Sequence, residues 1–412
     1  MEKRRVVITG MGAITPIGNT VTELWNGIQQ ATNGVDLITS YDTAEHKVKI
    51  AAEVKNADFD VLLSPKERRS MDRYAMFALI AARQAYEDSE LKNTEFDRNR
   101  FGVMVSSGIG GLGTIETEHK KALERGFDRI SPYFIPKVIV NLAAGNIAIE
   151  VQAYGMCSCV VTACASSSNA IGDAYRSIKD GYHDVMLAGG AEASITPLGM
   201  GGFASMKALC ESTDINRASI PFDKDRSGFV MGEGAGIMIL EEYELAKKRN
   251  AKIYGEVIGY GATCDAYHIT SPSPDGSGAA RSMRQAIEDA KLCPDDIGYI
   301  NAHGTSTPLN DKFETMAVKA VFGEHTKVPV SSTKSMTGHL LGASGVIEGI
   351  ISVLAIEHSF LPPTINLVNQ DAECDLNVIT AKGVTKKFDV ALSNSLGFGG
   401  HNATLIFSKV RD

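Results

Sequence analysis

The sequence predicts an α/β fold made of two similar halves, and two observations support this prediction. Short apolar runs alternate with longer segments of helical periodicity, which is typical of layered folds with largely parallel strand pairing at the centre. A similar order of elements also occurs twice along the chain, which indicates an internal duplication.

The first half contains the most regular elements. Buried strands are predicted at residues 6–9, 101–105 and 184–190, because each is a short apolar run bounded by turn or polar residues. Helical periodicity predicts helices at residues 79–86 and 169–178. A further strand is expected at 159–163, directly before Cys164.

The duplication is visible in the sequence RQAYED at residues 83–88, which resembles RQAIED at 284–289. A buried strand follows in each half, at 101–106 and at 297–302. Each half then has a strand that enters a segment rich in Gly, Ser and Ala, at 159–163 before Cys164 and at 328–333 before His339. Chance similarity between common helix sequences is the alternative. A duplication would bring Cys164 close to the histidine-bearing segments.

Composition limits the classes of function. The 412 residues have a net charge of −8 and no block of like charges, which makes nucleic acid a poor partner. No apolar run reaches the ~18 residues of a membrane span, and the N-terminal apolar run is too short for a signal peptide. Seven scattered cysteines fit neither a disulfide framework nor a zinc site. We therefore expect a cytoplasmic protein.

Cys164 is the first candidate for chemistry. It lies in VVTACASSS, a strand that is expected to enter a helix through small residues. A cysteine at a helix N-terminus lies at the positive end of the helix dipole, which favours the reactive thiolate. The alternative is a buried structural cysteine.

Two histidines are the next candidates. His303 lies in NAHGTST after a buried strand, and His339 lies in KSMTGHLLG near another helix start. Neutral imidazole N–H groups can donate hydrogen bonds to a thioester carbonyl and to the enolate that replaces it. A Cys-His hydrolase, in which one histidine activates the thiol and water, remains an alternative. Phe398, in the glycine-rich segment SNSLGFGGHN, is either a gate or a core aromatic.

These segments together resemble the elongating beta-ketoacyl-acyl-carrier-protein synthases of type II fatty acid synthesis. The motifs TACASS, PFDKDRSGFVMGEGAG, NAHGTSTPLND, TKSMTGHLLGASG and SNSLGFGGHN occur in order along the whole chain. The resemblance implies a thiolase-like fold with five αβαβα layers and a homodimer. It also implies an N-terminal half at 1–251 that carries the cysteine and a C-terminal half at 252–412 that carries both histidines.

The resemblance also implies roles for residues. Cys164 would be the acylated nucleophile, and His303 and His339 would bind the malonyl thioester and promote its decarboxylation. Lys334 would tune this site electrostatically, and Phe398 would be a gate. The backbone N–H groups of Cys164 and Phe398 would form the oxyanion hole.

Further positions would bind the substrate, its carrier or an ion. Thr305 and Thr307 match residues that bind the phosphopantetheine arm. Ile109 lies where the acyl pocket would end, which is similar to the long-chain synthase II subgroup rather than synthase I. The expected carrier-docking surface consists of Lys66, Arg68, Arg69 and Lys207, with Ser70 where a further lysine is usual. A structural Na or K ion is implied at Asn301, Glu348, Ser393 and Asn394.

The implied reaction joins an acyl chain held on Cys164 with malonyl-acyl-carrier protein (malonyl-ACP). Its products are 3-oxoacyl-ACP, CO2 and free ACP, and no cofactor is required. Synthase I-like specificity, a polyketide-type ketosynthase and a non-catalytic chain-length subunit are the related alternatives, although the last should lack the cysteine.

Overall fold

The computed structural model describes residues 4–380 and 382–411. The strands are β1 (Val6–Ile14), β2 (Asp36–Leu37), β3 (Ile50–Ala51), β4 (Phe101–Ser106), β5 (Cys157–Ser158), β6 (Val185–Glu192), β7 (Gly234–Glu242), β8 (Gly255–Cys264), β9 (Tyr299–Asn301), β10 (Val330–Ser331), β11 (Phe360–Leu361), β12 (Val384–Thr385), β13 (Val390–Gly397) and β14 (His401–Ser408).

The helices are α1 (Val21–Gln29), α2 (Phe59–Leu62), α3 (Pro65–Ser70), α4 (Arg73–Asp88), α5 (Leu112–Arg125), α6 (Phe134–Val138), α7 (Leu142–Val151), α8 (Ser166–Lys179), α9 (Pro197–Ser205), α10 (Tyr243–Lys248), α11 (Ser277–Asp289), α12 (Pro308–Phe322), α13 (Lys334–Thr337) and α14 (Ser344–Glu357). Side-chain caps mark several helix starts, as where the Asp72 carboxylate accepts the N–H of Tyr74 at α4.

Two groups of five strands have the same internal order. The first is β5-β4-β6-β7-β1 and the second is β10-β9-β13-β14-β8, so each strand of one half has a counterpart in the other. The groups join where β1 pairs with β8 over three residue pairs, from Val6 with Val257 to Ile8 with Gly255. This arrangement confirms the two similar halves. The boundary at 251/252, within the connection from α10 to β8, stays a prediction.

The strand pairing differs from the expectation. Parallel pairs occur only toward the outer ends of the sheet, between β4 and both β5 and β6, and between β9 and both β10 and β13. The central pairs are antiparallel. The prediction of a largely parallel centre was therefore wrong. It failed because strands that are buried on both faces have continuous apolar sequences in either orientation.

Five layers follow from the faces that the strands bury. Along β6, Met186 and Ala188 face the core around α8 and α14, whereas Val185 and Leu187 face the core of α4 and α7. Strands of the second half contact the same central helices on one face and α11 and α12 on the other. The predicted αβαβα arrangement is confirmed, with α8 and α14 in the middle layer.

Most predicted elements are present, and those of the first half are as long as predicted or longer. The strands predicted at 297–302 and 328–333 are shorter, at Tyr299–Asn301 and Val330–Ser331, and the strand predicted at 159–163 is absent. The chain forms only β5 at Cys157–Ser158, and Ala163–Ala165 forms a 3-10 turn before α8. Val160 to Thr162 lie outside regular structure. Among the described residues, no helix is long and apolar enough to cross a membrane.

Close packing of the middle layer generates a stability prediction at Gly172 of α8. A Cβ there would lie 2.3 Å from a ring carbon of Tyr260 in β8. We expect Gly172→Ala to lower the free energy of unfolding by about 1–3 kcal/mol, because the overpacked ring has to move, as measured by urea denaturation. Gly202→Ala is the matched control, since nothing lies within 4 Å of its Cβ. Equal effects of both substitutions would contradict the prediction.

Candidate active site

Cys164 lies in the 3-10 turn that leads into α8, at the edge of the middle layer. The preceding residue, Ala163, has a left-handed φ of 50°, a strained conformation that is often found at functional sites. Gly397 packs against this turn, and its Cβ position is 3.2 Å from the Cys164 nitrogen. The thiol is buried, with only 9% of the residue exposed, and it lines a cavity.

Burial dominates the acidity of the thiol. Burial, with a smaller contribution from the Glu192 charge, raises the pKa of Cys164 to about 12, against the opposing effects of the Lys334 charge and of the backbone N–H groups of Phe398 and Cys164. The expectation that the helix start favours the thiolate was therefore wrong, because desolvation outweighs the dipole in this position. The backbone N–H groups of Cys164 and Phe398 thus act on the thiol.

His303 and His339 lie together in the same cavity. Their ring centroids are 5.3 Å apart and their planes are nearly perpendicular, at 86°. The His339 Nδ1 forms a 2.9 Å hydrogen bond with the Ser344 hydroxyl at the start of α14. The backbone N–H groups of His303 and Gly304 each donate to the Glu314 carboxylate at 2.8 Å. Both rings are thus held at the ends of rigid elements.

Both imidazoles are neutral at physiological pH. Burial lowers the pKa of His303 and of His339 well below the usual value, and the nearby positive charge of Lys334 lowers both further. A neutral imidazole keeps one N–H donor. The pair can therefore donate hydrogen bonds to an oxygen that gains negative charge.

Lys334 is fully buried and its Nζ contacts Oε1 of Glu348. Burial raises the pKa of Glu348 to about 7, although the ammonium group opposes this rise. The lysine therefore supplies a desolvated positive charge that acts on Cys164 and on both histidines.

The cavity also contains several of the residues that the sequence assigned to substrate binding. Thr305 and Thr307 line it, with their hydroxyl oxygens 3.0 Å apart. Phe398 lines it at the turn between β13 and β14, and its ring centroid is 6.3 Å from that of Phe203. Ile109 does not line this cavity, but it packs against the apolar cluster that includes Cys164.

The proposed carrier-docking residues are not all in one place. Lys207 is exposed and lines the cavity. Lys66, Arg68 and Arg69 lie on α3 and do not line it. Arg68 pairs with Asp60 and lines a separate cleft.

Comparison with known proteins identifies the family. Residues 3–246 match the beta-ketoacyl synthase N-terminal domain, and residues 254–368 match the beta-ketoacyl synthase C-terminal domain. The chain belongs to the beta-ketoacyl synthase family. The predicted family and enzyme class are thus confirmed.

Relatives of this beta-ketoacyl synthase cover its whole length. The chain is 52% identical over 411 residues to 3-oxoacyl-acyl-carrier-protein synthase 2 of Synechocystis sp., with 99% of each chain covered. It is 48% identical over 409 residues to the Staphylococcus aureus protein of the same name, with 99% of each covered.

Solved structures of the family are also similar. A beta-ketoacyl synthase from Burkholderia phymatum has 35% identity and a TM-score of 0.92, with 99% of this chain and 100% of that chain covered. A ketosynthase solved in complex with its type II polyketide acyl-carrier protein has 36% identity, the same TM-score and the same coverage.

The chemistry of a buried polar cluster fits a monovalent cation at three of the four predicted residues. Both amide atoms of Asn301, Oε2 of Glu348 and Oγ of Ser393 are buried and lack hydrogen-bond partners among the described residues. The side chain of Asn394 differs, because its Oδ1 accepts a hydrogen bond from the Thr404 hydroxyl at 2.9 Å. The oxygen atoms of the first three are hard ligands of the kind that alkali cations prefer.

The sequence did not identify three residues that hold the site, namely Glu314, Ser344 and Glu192. Asp311 and Glu314 lie one turn apart on the same face of α12 as the buried Ala317 and Val318. Acidic residues on an apolar helix face were therefore an available signal for Glu314. No comparable pattern marks Ser344 or Glu192.

The raised thiol pKa predicts the pH dependence of alkylation. The thiolate fraction of a group with a pKa of about 12 rises about tenfold per pH unit between neutral and pH 9. We therefore expect iodoacetamide labelling of Cys164, followed by peptide mass spectrometry, to accelerate across this range without a plateau. Lys334→Met should slow labelling, because it removes a charge that lowers this pKa. The exposed Cys293 serves as the internal reference. A plateau near neutral pH would contradict the prediction.

Proposed function

We propose that this chain acts as a 3-oxoacyl-acyl-carrier-protein synthase of the synthase 2 type in fatty acid elongation. It would condense an acyl chain held on Cys164 with malonyl-ACP, with loss of CO2. The observation that carries this proposal is the shared cavity, in which a buried thiol faces two backbone N–H groups and two neutral histidines.

The first step is acyl transfer. The Cys164 sulfur attacks the thioester carbonyl of acyl-ACP, while the backbone N–H groups of Cys164 and Phe398 stabilise the tetrahedral oxyanion. The bond from the carbonyl carbon to the phosphopantetheine sulfur breaks, and the leaving thiolate takes up the proton lost from Cys164. The acyl chain remains on the enzyme as a thioester, and free ACP departs.

The second step is decarboxylative condensation. His303 and His339 donate hydrogen bonds to the thioester oxygen of malonyl-ACP, where negative charge develops as CO2 leaves. Loss of CO2 generates the carbanion without a strong base. The carbanion attacks the acyl carbonyl on Cys164, the carbon–sulfur bond breaks, and 3-oxoacyl-ACP forms. The reaction requires no cofactor.

Lys334 supports this step through charge rather than contact. Burial keeps both imidazoles neutral and its ammonium group reinforces this effect, so that they act as donors and not as acids that would protonate the carbanion. Its pairing with Glu348 offsets part of the cost of its own burial.

Substrate binding uses the rest of the cavity. Thr305 and Thr307 would bind the phosphopantetheine arm, and Phe398 would gate access to Cys164. The acyl chain would extend past Ile109, which supports synthase 2 rather than synthase 1 specificity. ACP would dock through Lys207 at the cavity and through Lys66, Arg68 and Arg69. The ketosynthase relative solved with its carrier protein supports this kind of partner.

We also propose a structural Na or K ion at Asn301, Glu348 and Ser393, because a cation would compensate the unpartnered buried oxygens Oδ1, Oε2 and Oγ of these residues. The side chain of Asn394 would not be a ligand, because its Oδ1 already accepts a hydrogen bond from Thr404.

A homodimer is the proposed assembly. β5 is the last strand at its edge of the sheet and, among residues 4–380 and 382–411, pairs only with β4. Beside it, Val161 is 50% exposed and Tyr154 is 65% exposed. An open edge next to exposed apolar side chains favours pairing with a second chain.

Two substitutions separate the two steps. We expect Cys164→Ala to form no acyl-enzyme and no 3-oxoacyl product. We expect His303→Ala to acylate normally by mass spectrometry but to release CO2 from malonyl-ACP about 10²–10³-fold more slowly, because it lacks a donor to the developing charge.

Cys293→Ala and His358→Ala, at exposed positions outside the cavity, are the matched controls. Product from Cys164→Ala, or near-normal CO2 release from His303→Ala, would overturn these roles. Free fatty acid as the sole product of the unaltered enzyme would indicate a hydrolase.

The dimer proposal predicts that Val161→Asp shifts the protein toward monomer in analytical ultracentrifugation, because a charge would be buried at the β5 edge. Val384→Asp is the control, at a similarly exposed valine of β12 in the second half. An unaltered sedimentation coefficient for Val161→Asp would place the interface elsewhere.

A further inference from the structure

Glu192 is a fully buried carboxylate at the end of β6, outside the set of residues discussed so far for catalysis. It accepts hydrogen bonds from five donors. Oε1 accepts from the Ser107 hydroxyl at 2.9 Å, the Ser194 hydroxyl at 3.2 Å and the Ile109 N–H at 3.3 Å, and Oε2 accepts from the Gly108 N–H at 2.8 Å and the Gly342 N–H at 3.1 Å.

Four of these donors belong to two turns, one beside the proposed acyl pocket and one beside His339. The turn at 107–109 follows β4 and carries Ile109, the proposed floor of the acyl pocket. Gly342 belongs to the turn that follows His339. The turns touch each other, since a Cβ on Gly342 would lie 2.3 Å from the Gly108 nitrogen. A single carboxylate thus joins the pocket floor to the histidine segment.

The buried carboxylate of Glu192 needs these hydrogen-bond donors. Among the described residues, no cation forms a salt bridge with Glu192, so N–H and O–H groups alone stabilise its buried oxygens. Three of the five donors are backbone amides, which can only donate. If the 107–109 turn moved away, a desolvated carboxylate would lose its partners, which is costly. The turn is therefore held in place by Glu192.

We infer that Glu192 is a positioning residue that sets the acyl-chain length by fixing Ile109, an inference that rests on the proposed condensing function. It acts through the Ile109 N–H and touches neither substrate nor the reacting atoms. The depth of the acyl pocket then depends on the hydrogen bond to the Ile109 N–H as well as on the size of the Ile109 side chain.

Glu192→Gln is a sharp test, because an amide offers one acceptor and one donor end. With its oxygen toward Gly108 and Gly342, its NH2 group meets two serine hydroxyls, which can accept, and the Ile109 N–H, which cannot. Of the five hydrogen bonds, the substitution therefore breaks the one to the Ile109 N–H. It also removes a charge that raises the pKa of Cys164, but that effect is common to all acyl chains and cancels in a ratio between chain lengths. We expect the ratio of kcat/KM for tetradecanoyl-ACP to that for hexanoyl-ACP to rise about tenfold, the equivalent of one lost hydrogen bond to a charged group.

A double-mutant cycle separates this role from general destabilisation. If Glu192 acts through Ile109, Glu192→Gln should not change the chain-length ratio further in an Ile109→Ala background, because coupled residues are non-additive. Glu241→Gln is the matched control, since Glu241 is another fully buried carboxylate, held by Thr9 and Arg249 at the far end of β7. Its chain-length ratio should equal that of the unaltered enzyme.

The outcomes distinguish this inference from the function on which it rests. No 3-oxoacyl product from the unaltered enzyme would overturn the proposed function and, with it, the role of Glu192. Condensation with an unchanged ratio for Glu192→Gln, or an equal shift in the Ile109→Ala background, would overturn the inference alone. If Glu192→Gln does not fold, Ser107→Ala takes its place in the cycle, because it removes the hydroxyl that connects Glu192 with the Gly110 N–H.

Discussion

Burial, together with one buried positive charge, sets the protonation states in this site. Lys334 has almost no exposure and pairs with Glu348 in the interior. Its field opposes protonation of His303 and His339 and favours the thiolate of Cys164. Burying an ion pair costs more solvation energy than the pair usually returns. In return, the charge reinforces the neutral state of both histidines and partly offsets the effect of burial on the pKa of Cys164.

Internal symmetry explains how these groups meet. α8 and α14 are counterparts in the two halves, and Cys164 precedes one helix while His339 precedes the other. β4 and β9 are also counterparts. The end of β9 carries His303, whereas the end of β4 carries the turn with Ile109. Equivalent positions have therefore diverged into a proposed catalytic donor in one half and a proposed pocket floor in the other.

The sequence predicted those features that depend on local pattern. Buried apolar runs located the strands, and small residues at strand ends located Cys164, His303 and His339. Strand orientation escaped prediction because strands buried on both faces have the same composition whether parallel or antiparallel. The high thiol pKa escaped it because desolvation depends on residues distant in sequence, such as Ile195 and Leu341 in the apolar cluster that contains Cys164. Glu192 escaped it because its backbone donors lie on two turns, at 108–109 and at Gly342, that only the fold brings together.

The core that the two halves share affects the synthesis of the protein. The halves share three residue pairs between β1 and β8, and α8 buries Ile171 and Ala174 in a core completed by α14. At ~5–20 residues per second, translation of the C-terminal half takes roughly 10–30 s. During that interval the apolar inner face of α8 leaves the ribosome without its cover. Because exposed apolar surface promotes aggregation, we expect the first half to need chaperones until the second half is made.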